Sequence, residues 1–412
     1  MIQVDEIFPL DVRRTIGPAG TIKRLFSNRD YFKGRGYEMR IFVPLHENHR
    51  LFSHSVTMGE MVELPSVPSS VKQKSGWKDI LKARKHTIVE SNRFTSAWAY
   101  HRGLKEQTKL IDDYIALGRT PGIIVFHDFE SCYLYYTHRK ETNAKLAMFI
   151  HGPGDDDNQF SQRRPKLIGT KEQIKTRERL LKAFAYANEV VWISRNGKRV
   201  FLSNHPEYEP KTSVVANGIT DMAYAESLPS SQHKYRMVTT GTVCERKGQY
   251  IIVEAMHNMN PEVLKDTHLT VMGIGSDYSK LLAKSTEYNL QDHITFLGNV
   301  PNTEVHQHLC SENIFILMSR NEGLPISVIE AMRAGLPVIS TRVDGIPEQV
   351  DERNGVLIDP NIDQLTEVLN HLPSYNWAEL GKWSRKRFEE EYTFDRMLRD
   401  YADMFDELMK NR

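Results

Sequence analysis

The chain has 412 residues, of which 40% are hydrophobic and 26% charged, and its formal net charge is +1. One ordinary core takes roughly 100–200 residues, so two substantial domains are expected. The 3 cysteines are widely spaced with no CxxC pair, which excludes a disulfide-stapled scaffold and a zinc ribbon, and no uncharged apolar run approaches the ~18 residues of a spanning helix.

Short β-branched runs alternate with amphipathic segments, the pattern of parallel α/β sheets, and no fixed-period repeat points to a solenoid or propeller. In chain order, strands are expected at Ile2–Phe8, Glu38–Val43, Ile123–Phe126, Ala147–Ile150 and Val190–Ile193, with a helix over Lys171–Ala187. Asp5 and Glu6 stand where a signal peptide needs a basic start and an apolar run, so a cytoplasmic location is expected. Around Pro229–His233 the texture turns polar, and a second series begins. Its strands are expected at Met237–Thr240, Leu269–Met272, Ile294–Phe296, Ile314–Leu317, Pro337–Ser340 and Gly355–Ile358. Helices fit between them at Gln249–Met256, Tyr278–Glu287, Asn302–Cys310 and Ile326–Ala334, and Trp377–Met409 reads as helical with Phe388, Tyr392, Met397, Tyr401 and Phe405 as packing residues. The fold class is α/β, with two doubly wound, Rossmann-like parallel-sheet domains over residues 1–217 and 218–392. A C-terminal helix over about 393–412 is expected to return to the first domain.

Charge divides along the chain. Residues 1–200 hold 34 Lys and Arg against 22 Asp and Glu, a net of +12, whereas the remainder holds 20 against 31, a net of −11. A basic first half suits something anionic, such as a membrane surface or an acidic glycan. Within it, Val71–Phe94 carries Lys72, Lys74, Lys78, Lys82, Arg84 and Lys85 around Trp77, Ile80, Leu81 and Ile88, a pattern shared by ordinary solvated helices and by helices that lie on anionic bilayers. No zinc finger, RNP-like aromatic run or lysine-rich tract supports nucleic acid as a partner.

The most informative stretch is Ser319–Val350, SRNEGLPISVIEAMRAGLPVISTRVDGIPEQV. Gly323 and Pro325 suit a tight turn into a helix, and Gly335 followed by Pro337 suits its end. Unpaired N–H groups at such a helix start can hold a phosphate. Glu322 precedes the helix and Glu330 lies eight residues on, about two turns deeper, a separation that suits the hexose and ribose hydroxyls of a nucleotide sugar. Carboxylates suit hydroxyl recognition because they only accept hydrogen bonds.

This stretch resembles the donor-site signature of retaining glycosyltransferases of family 4, with Glu322 and Glu330 as its two glutamates. The resemblance continues in order through Val214–Ile219 (VVANGI), Gly241–Gly248 (GTVCERKG), Val271–Gly275 (VMGIG) and Phe296–Val300 (FLGNV). It departs at Thr242, where many relatives place an arginine that pairs with the lysine matched here by Lys247. Arg246 is the candidate replacement, although adjacent side chains in a regular element diverge. In the first half, Gly17-Pro-Ala-Gly20 resembles the family's glycine-rich loop that approaches the donor phosphates. His127 and His151, each after a strand, resemble its two histidine-bearing loops.

The resemblance implies the two-domain architecture called GT-B, with the sheets facing a cleft. The implied activity is transfer of a hexose or N-acetylhexosamine, with retention, from a nucleotide-diphosphate sugar to a hydroxyl of a glycan or lipid-linked acceptor. A UDP-sugar is favoured over a GDP-sugar. His151 and Glu322 are the implied catalytic residues. Gly17, Gly20, Arg246, Lys247, Gly275, Asn299, Gly323, Leu324 and Glu330 are the implied donor contacts, and His127 an acceptor contact. No cofactor is implied and no metal, so Asp155-Asp156-Asp157 reads as an acidic loop. Bacterial surface polysaccharide synthesis, at the inner face of the plasma membrane, is the setting that the basic first half suggests. The alternatives are a nucleotide-sugar epimerase and a non-catalytic partner of this architecture that recognises the acceptor.

Overall fold

Runs such as Ile123–Phe126 and Ile314–Leu317 bury every side chain, as parallel strands covered on both faces must. In the computed structural model, which describes residues 1–10, 18–46, 56–64, 92–139, 142–154, 160, 164–223 and 232–410, such strands organise two compact units. The first comprises Met1–Ile193, Gly197–Val215 and Leu398–Arg412, and the second Ser194–Asn196 and Ala216–Met397.

The sheet of the first unit contains β1 (Ile2–Ile7), β2 (Tyr37–His46), β3 (Val56–Glu60), β4 (Ile123–Phe126), β5 (Lys145–Ile150), β6 (Glu189–Trp192) and β7 (Thr212–Val214). Their order is β3-β2-β1-β4-β5-β6-β7. All neighbours are parallel except β3, which closes one edge against β2 in antiparallel register. The second unit has β8 (Tyr235–Thr240), β9 (Thr267–Met272), β10 (Ile294–Gly298), β11 (Ile314–Leu317), β12 (Val338–Thr341) and β13 (Gly355–Ile358), in the order β10-β9-β8-β11-β12-β13 and parallel throughout.

Both orders reverse direction beside the first strand of the unit: β1 lies between β2 and β4, and β8 between β9 and β11. Such a switch point opens a crevice beyond the carboxyl ends of the strands, where doubly wound sheets hold their ligands. The loops after β1 and β4, and those after β8 and β11, are therefore the places to look for chemistry.

The strands read from the sequence are present with ends shifted by up to three residues, the ordinary uncertainty of such boundaries. Periodicity passes over β3, β7 and the long helix Arg93–Ala116. That helix carries a thin buried stripe of Tyr100, Leu110, Ile111 and Tyr114 on an otherwise polar segment. Its start is nevertheless marked, because the Asn92 side chain accepts from the backbone N–H of Phe94 and of Thr95, both at 3.0 Å. The C-terminal helix Phe394–Lys410 places Tyr401 and Phe405 in the core of the first unit, against Phe32 and Tyr37, and Arg35 closes that contact by pairing with Asp403 and Asp406. Among the described residues, no helix is long and apolar enough to cross a membrane.

Candidate active site

In the second unit the chain leaves β8 and makes a single 3-10 turn, Glu245–Lys247, before the helix Gln249–His257. From the end of β11 the segment Met318–Pro325 leads into the helix Ile326–Arg333. The two segments meet at one carboxylate oxygen. Lys247 Nζ donates to Glu322 Oε1 at 2.6 Å, the Ser319 hydroxyl donates to the same oxygen at 2.7 Å, and Arg246 Nη1 lies 3.3 Å from it. Arg246 also donates to the carbonyl of Asn321 at 2.8 Å. The divergence expected of adjacent side chains does not occur, because the segment is one tight turn rather than a regular element.

Glu322 is 8% exposed. Burial would raise its pKa, but Lys247, Arg246 and the Ser319 hydroxyl outweigh that and hold the carboxyl below its ordinary range. Its backbone N–H donates to the Asp344 carboxylate at 2.8 Å, from a loop where Asp344 has φ of +47°. Lys247 and Arg246 place two cations at the switch point, next to a helix start, which is an arrangement suited to an anion.

The glycines of this region bring backbone against backbone. Gly248, at φ +69°, lies so close to Met318 that an added Cβ would stand 1.9 Å from the Met318 carbonyl oxygen. An added Cβ on Gly345 would stand equally close, 1.9 Å, to the carbonyl oxygen of Gly323. The loops after β8, β11 and β12 are thus locked together without side chains between them.

Other residues singled out in the sequence surround this cluster. Glu330 lies half-buried on the helix Ile326–Arg333, one turn before Arg333, whose charge it supports. Leu324 is buried, and Gly323 and Leu324 form the turn that carries Glu322 into the helix. Gly275 lies exposed after β9, its α-carbon against the Val243 carbonyl, and Asn299 is exposed just past β10, where Gly298 ends the strand in a register shift. Thr242 is exposed and its carbonyl accepts from Gln249, so no charge enters at that position.

In the first unit, the strand ends β1, β4 and β5 bring together Glu6, His127 and His151. His127 Nε2 is 2.7 Å from Glu6 Oε2, and His127 Nδ1 is 3.1 Å from His151 Nε2. The His127 ring stacks on those of Phe149 and His151, with Phe8 edge-on. Burial pushes the His127 pKa down to about 4 and raises that of the Glu6 carboxyl well above its ordinary value. Only 1% of the His127 side chain is exposed, and it packs behind His151. Glu6 escapes sequence reasoning as a site residue, since it reads there as one of two charges in a strand. The available signal is a charged residue at a position facing a core. Asp128, next in the chain after His127, turns away to accept from the Ser131 backbone and from Gln107, fixing the start of the helix Phe129–Arg139.

Gly20 stands in the first turn of the helix Pro18–Ser27 rather than in a loop, and Gly17 lies outside the described residues, as do Asp155–Asp157 and most of the basic segment Val71–Phe94. Among the described residues, no group of three His, Cys, Asp or Glu side chains is placed to hold a metal ion.

A parallel sheet in this order defines a doubly wound, Rossmann-like domain, here following another of the same build. Residues 223–386 match the model of the family Glycosyl transferases group 1. The chain is 26% identical over 232 residues to a component of the phosphatidylinositol N-acetylglucosaminyltransferase of Arabidopsis thaliana, covering 53% of this chain and 51% of the relative. It is 26% identical over 183 residues to the colanic acid biosynthesis glycosyltransferase WcaL of Escherichia coli, named there as putative, covering 42% and 45%. The chain thus spans about half the length of the curated relatives it matches. Among solved structures it resembles Anabaena HepE in complex with UDP, with a TM-score of 0.66 at 15% identity over 99% of this chain and 100% of that one. That likeness assigns the fold, GT-B, as read from the sequence.

Proposed function

We propose that this protein is a retaining glycosyltransferase of family 4 that moves a hexose or N-acetylhexosamine from a nucleotide-diphosphate sugar to a hydroxyl of a glycan or lipid-linked acceptor. The observation that carries the reading is the convergence of Lys247 and Arg246 on Glu322 at the switch point of the second unit, inside the segment that matches group 1. A leaving diphosphate gathers negative charge as the glycosidic bond to it breaks. Fixed cations and helix N–H groups in a poorly solvated site lower that barrier without having to reorganise. Lys247 and Arg246 fill this role in place of the arginine replaced by Thr242, together with the turn at Gly323–Leu324. The pair supplies the charge that a divalent ion would otherwise bring, so transfer proceeds without metal.

Glu322 then has two tasks. It holds both cations in place before the donor arrives, and it orients the sugar hydroxyls afterwards. Glu330 accepts from the ribose hydroxyls, and Gly275 and Asn299 border the phosphates and the base. His151 meets the sugar near the anomeric carbon. The departing phosphate takes the acceptor's proton on the same face, which gives retention without a carboxylate nucleophile. UDP is the favoured nucleotide, as in the HepE complex, and the colanic acid biosynthesis in the name of WcaL supports a place in surface polysaccharide synthesis on the cytoplasmic side, with peripheral contact between the basic first half and an anionic bilayer.

A thermal-shift panel of UDP, GDP and ADP on wild type and Glu330→Ala tests the reading. A nucleotide at about 100 times its dissociation constant adds roughly 2.7 kcal/mol of stability. One base should raise the melting temperature of wild type and do so much less in Glu330→Ala. No shift with any nucleotide overturns the proposal.

A further inference from the structure

The histidine pair of the first unit ends on a carboxyl group that no sugar can reach, and this group governs what His151 presents. Glu6 is fully buried, and among the described residues its Oε1 has no hydrogen-bond partner. Among the described residues, the groups that face it are His127, through Oε2, and Tyr401 on the C-terminal helix, which stacks on Phe149 and whose own buried hydroxyl also lacks a partner there.

One proton sits in each of the two gaps of the chain Glu6 Oε2, His127 Nε2, His127 Nδ1, His151 Nε2, and with both histidines neutral only two arrangements exist. If Glu6 is ionised, His127 Nε2–H donates to it, His127 Nδ1 is left as an acceptor, and His151 must donate from Nε2 and keep a lone pair on Nδ1. If Glu6 is protonated, it donates to His127 Nε2, His127 Nδ1–H donates to His151 Nε2, and the His151 proton sits on Nδ1. The second arrangement is the one that fits this site. Among the described residues no cation stands beside this carboxyl and its Oε1 is unpartnered, and an ionised carboxylate buried in such surroundings is far costlier than a neutral acid in the same place. Burial acts on both groups in this direction, favouring neutral Glu6 and neutral His127.

We infer that Glu6 and His127 are positioning residues that lock His151 with its proton on Nδ1, so that it meets the donor sugar as a hydrogen-bond donor and not as a base. The inference rests on the reading of His151 as the sugar-facing histidine, and deepens it: the site recognises a sugar oxygen that accepts, and the acceptor's proton must leave by another route.

Imidazole proton–nitrogen correlation spectra of the full chain labelled with 15N read the tautomer directly, with His151→Asn to assign the signal. The expected result near neutral pH is an Nδ1–H form of His151 in wild type and in Glu6→Gln, whose amide can donate to His127 Nε2, and a mixture of tautomers in Glu6→Leu. An Nε2–H form in wild type overturns the inference, and so does a His151 pattern that Glu6→Leu leaves unmoved. Should Glu6→Leu not fold, the wild-type spectrum alone decides. In donor turnover, Glu6→Leu should lower kcat about ten-fold with little change in KM while Glu6→Gln stays within about two-fold. Wild type that turns over no donor defeats the proposed function, whereas the spectra still report where the proton is.

Discussion

The two units share a topology and use it in opposite electrostatic styles. At the switch point of the second unit, Lys247 and Arg246 hold a carboxylate that is ionised in spite of its burial. At the switch point of the first, Glu6 is buried with no cation beside it among the described residues, and hydrogen bonds run from it through His127 to His151. The difference lies in what the neighbouring loops supply. A turn after β8 delivers two cations to the end of β11, whereas the loops after β4 and β5 deliver two imidazoles walled by Phe8 and Phe149. A charged site suits the diphosphate common to all nucleotide-sugar donors. A neutral, hydrogen-bonded site suits an uncharged sugar.

Removing a charge from the second unit breaks this contrast most severely. Lys247→Ala should lower transfer by about 10³-fold, the loss typical of removing a fixed donor from a developing anion, measured in single turnovers with the preferred donor. A loss below ten-fold would mean that the phosphates lie elsewhere. Glu322→Gln leaves the largely buried Lys247 without its carboxylate, beside a half-exposed Arg246 that solvent partly screens, and should destabilise the protein by about 1–2 kcal/mol in urea. Unchanged stability would show that the ion pair contributes nothing. Glu330→Ala removes a charged acceptor of ribose hydroxyls and should weaken nucleotide binding by about 10- to 100-fold, with smaller change in melting temperature. Equal binding of ribo- and deoxyribonucleotides by wild type would remove its role.

The smallest effect sharpens the first-unit side of the comparison. Folded protein keeps the Glu6 proton, while the unfolded chain releases it as pH rises past the ordinary value of 4.5. Wild type therefore loses stability above that pH, and Glu6→Gln, which cannot ionise, is spared. The stability advantage of Glu6→Gln should grow from pH 4.5 to pH 8 in urea titrations, and a constant difference would contradict it. His127 acts in the other direction in both proteins. Its contribution is full above the ordinary 6.5 and drains away as pH falls toward about 4.

Much of this is legible in the letters. Parallel strands buried on both faces read as unbroken apolar runs, so IIVF and IFIL announce themselves, and the glycines around β8, β11 and β12 stand where backbones touch. The acidic and basic residues of the second-unit cluster are close to signature motifs in sequence, and Glu322 and Lys247 stand out for that reason. The remainder depends on contacts between distant segments. Glu6 and His127 are 121 residues apart, and only the pairing of β1 with β4 brings them together. Asp344 and Ser319 support Glu322 through loop packing that no spacing rule announces. The convergence of Arg246 and Lys247 runs against expectation because the geometry of one 3-10 turn differs from that of the regular elements on which periodicity arguments rest.

The central claim is that the cations at the second unit's switch point hold a nucleotide diphosphate. Calorimetric titration of wild type and Lys247→Ala with UDP, GDP and the corresponding free nucleosides tests it most directly. The account predicts that one diphosphate binds wild type at least about 100-fold more tightly than its nucleoside, a difference of roughly 2.7 kcal/mol, and that Lys247→Ala abolishes most of this gain. Equal affinity for nucleoside and diphosphate, or a gain that survives Lys247→Ala, would contradict it.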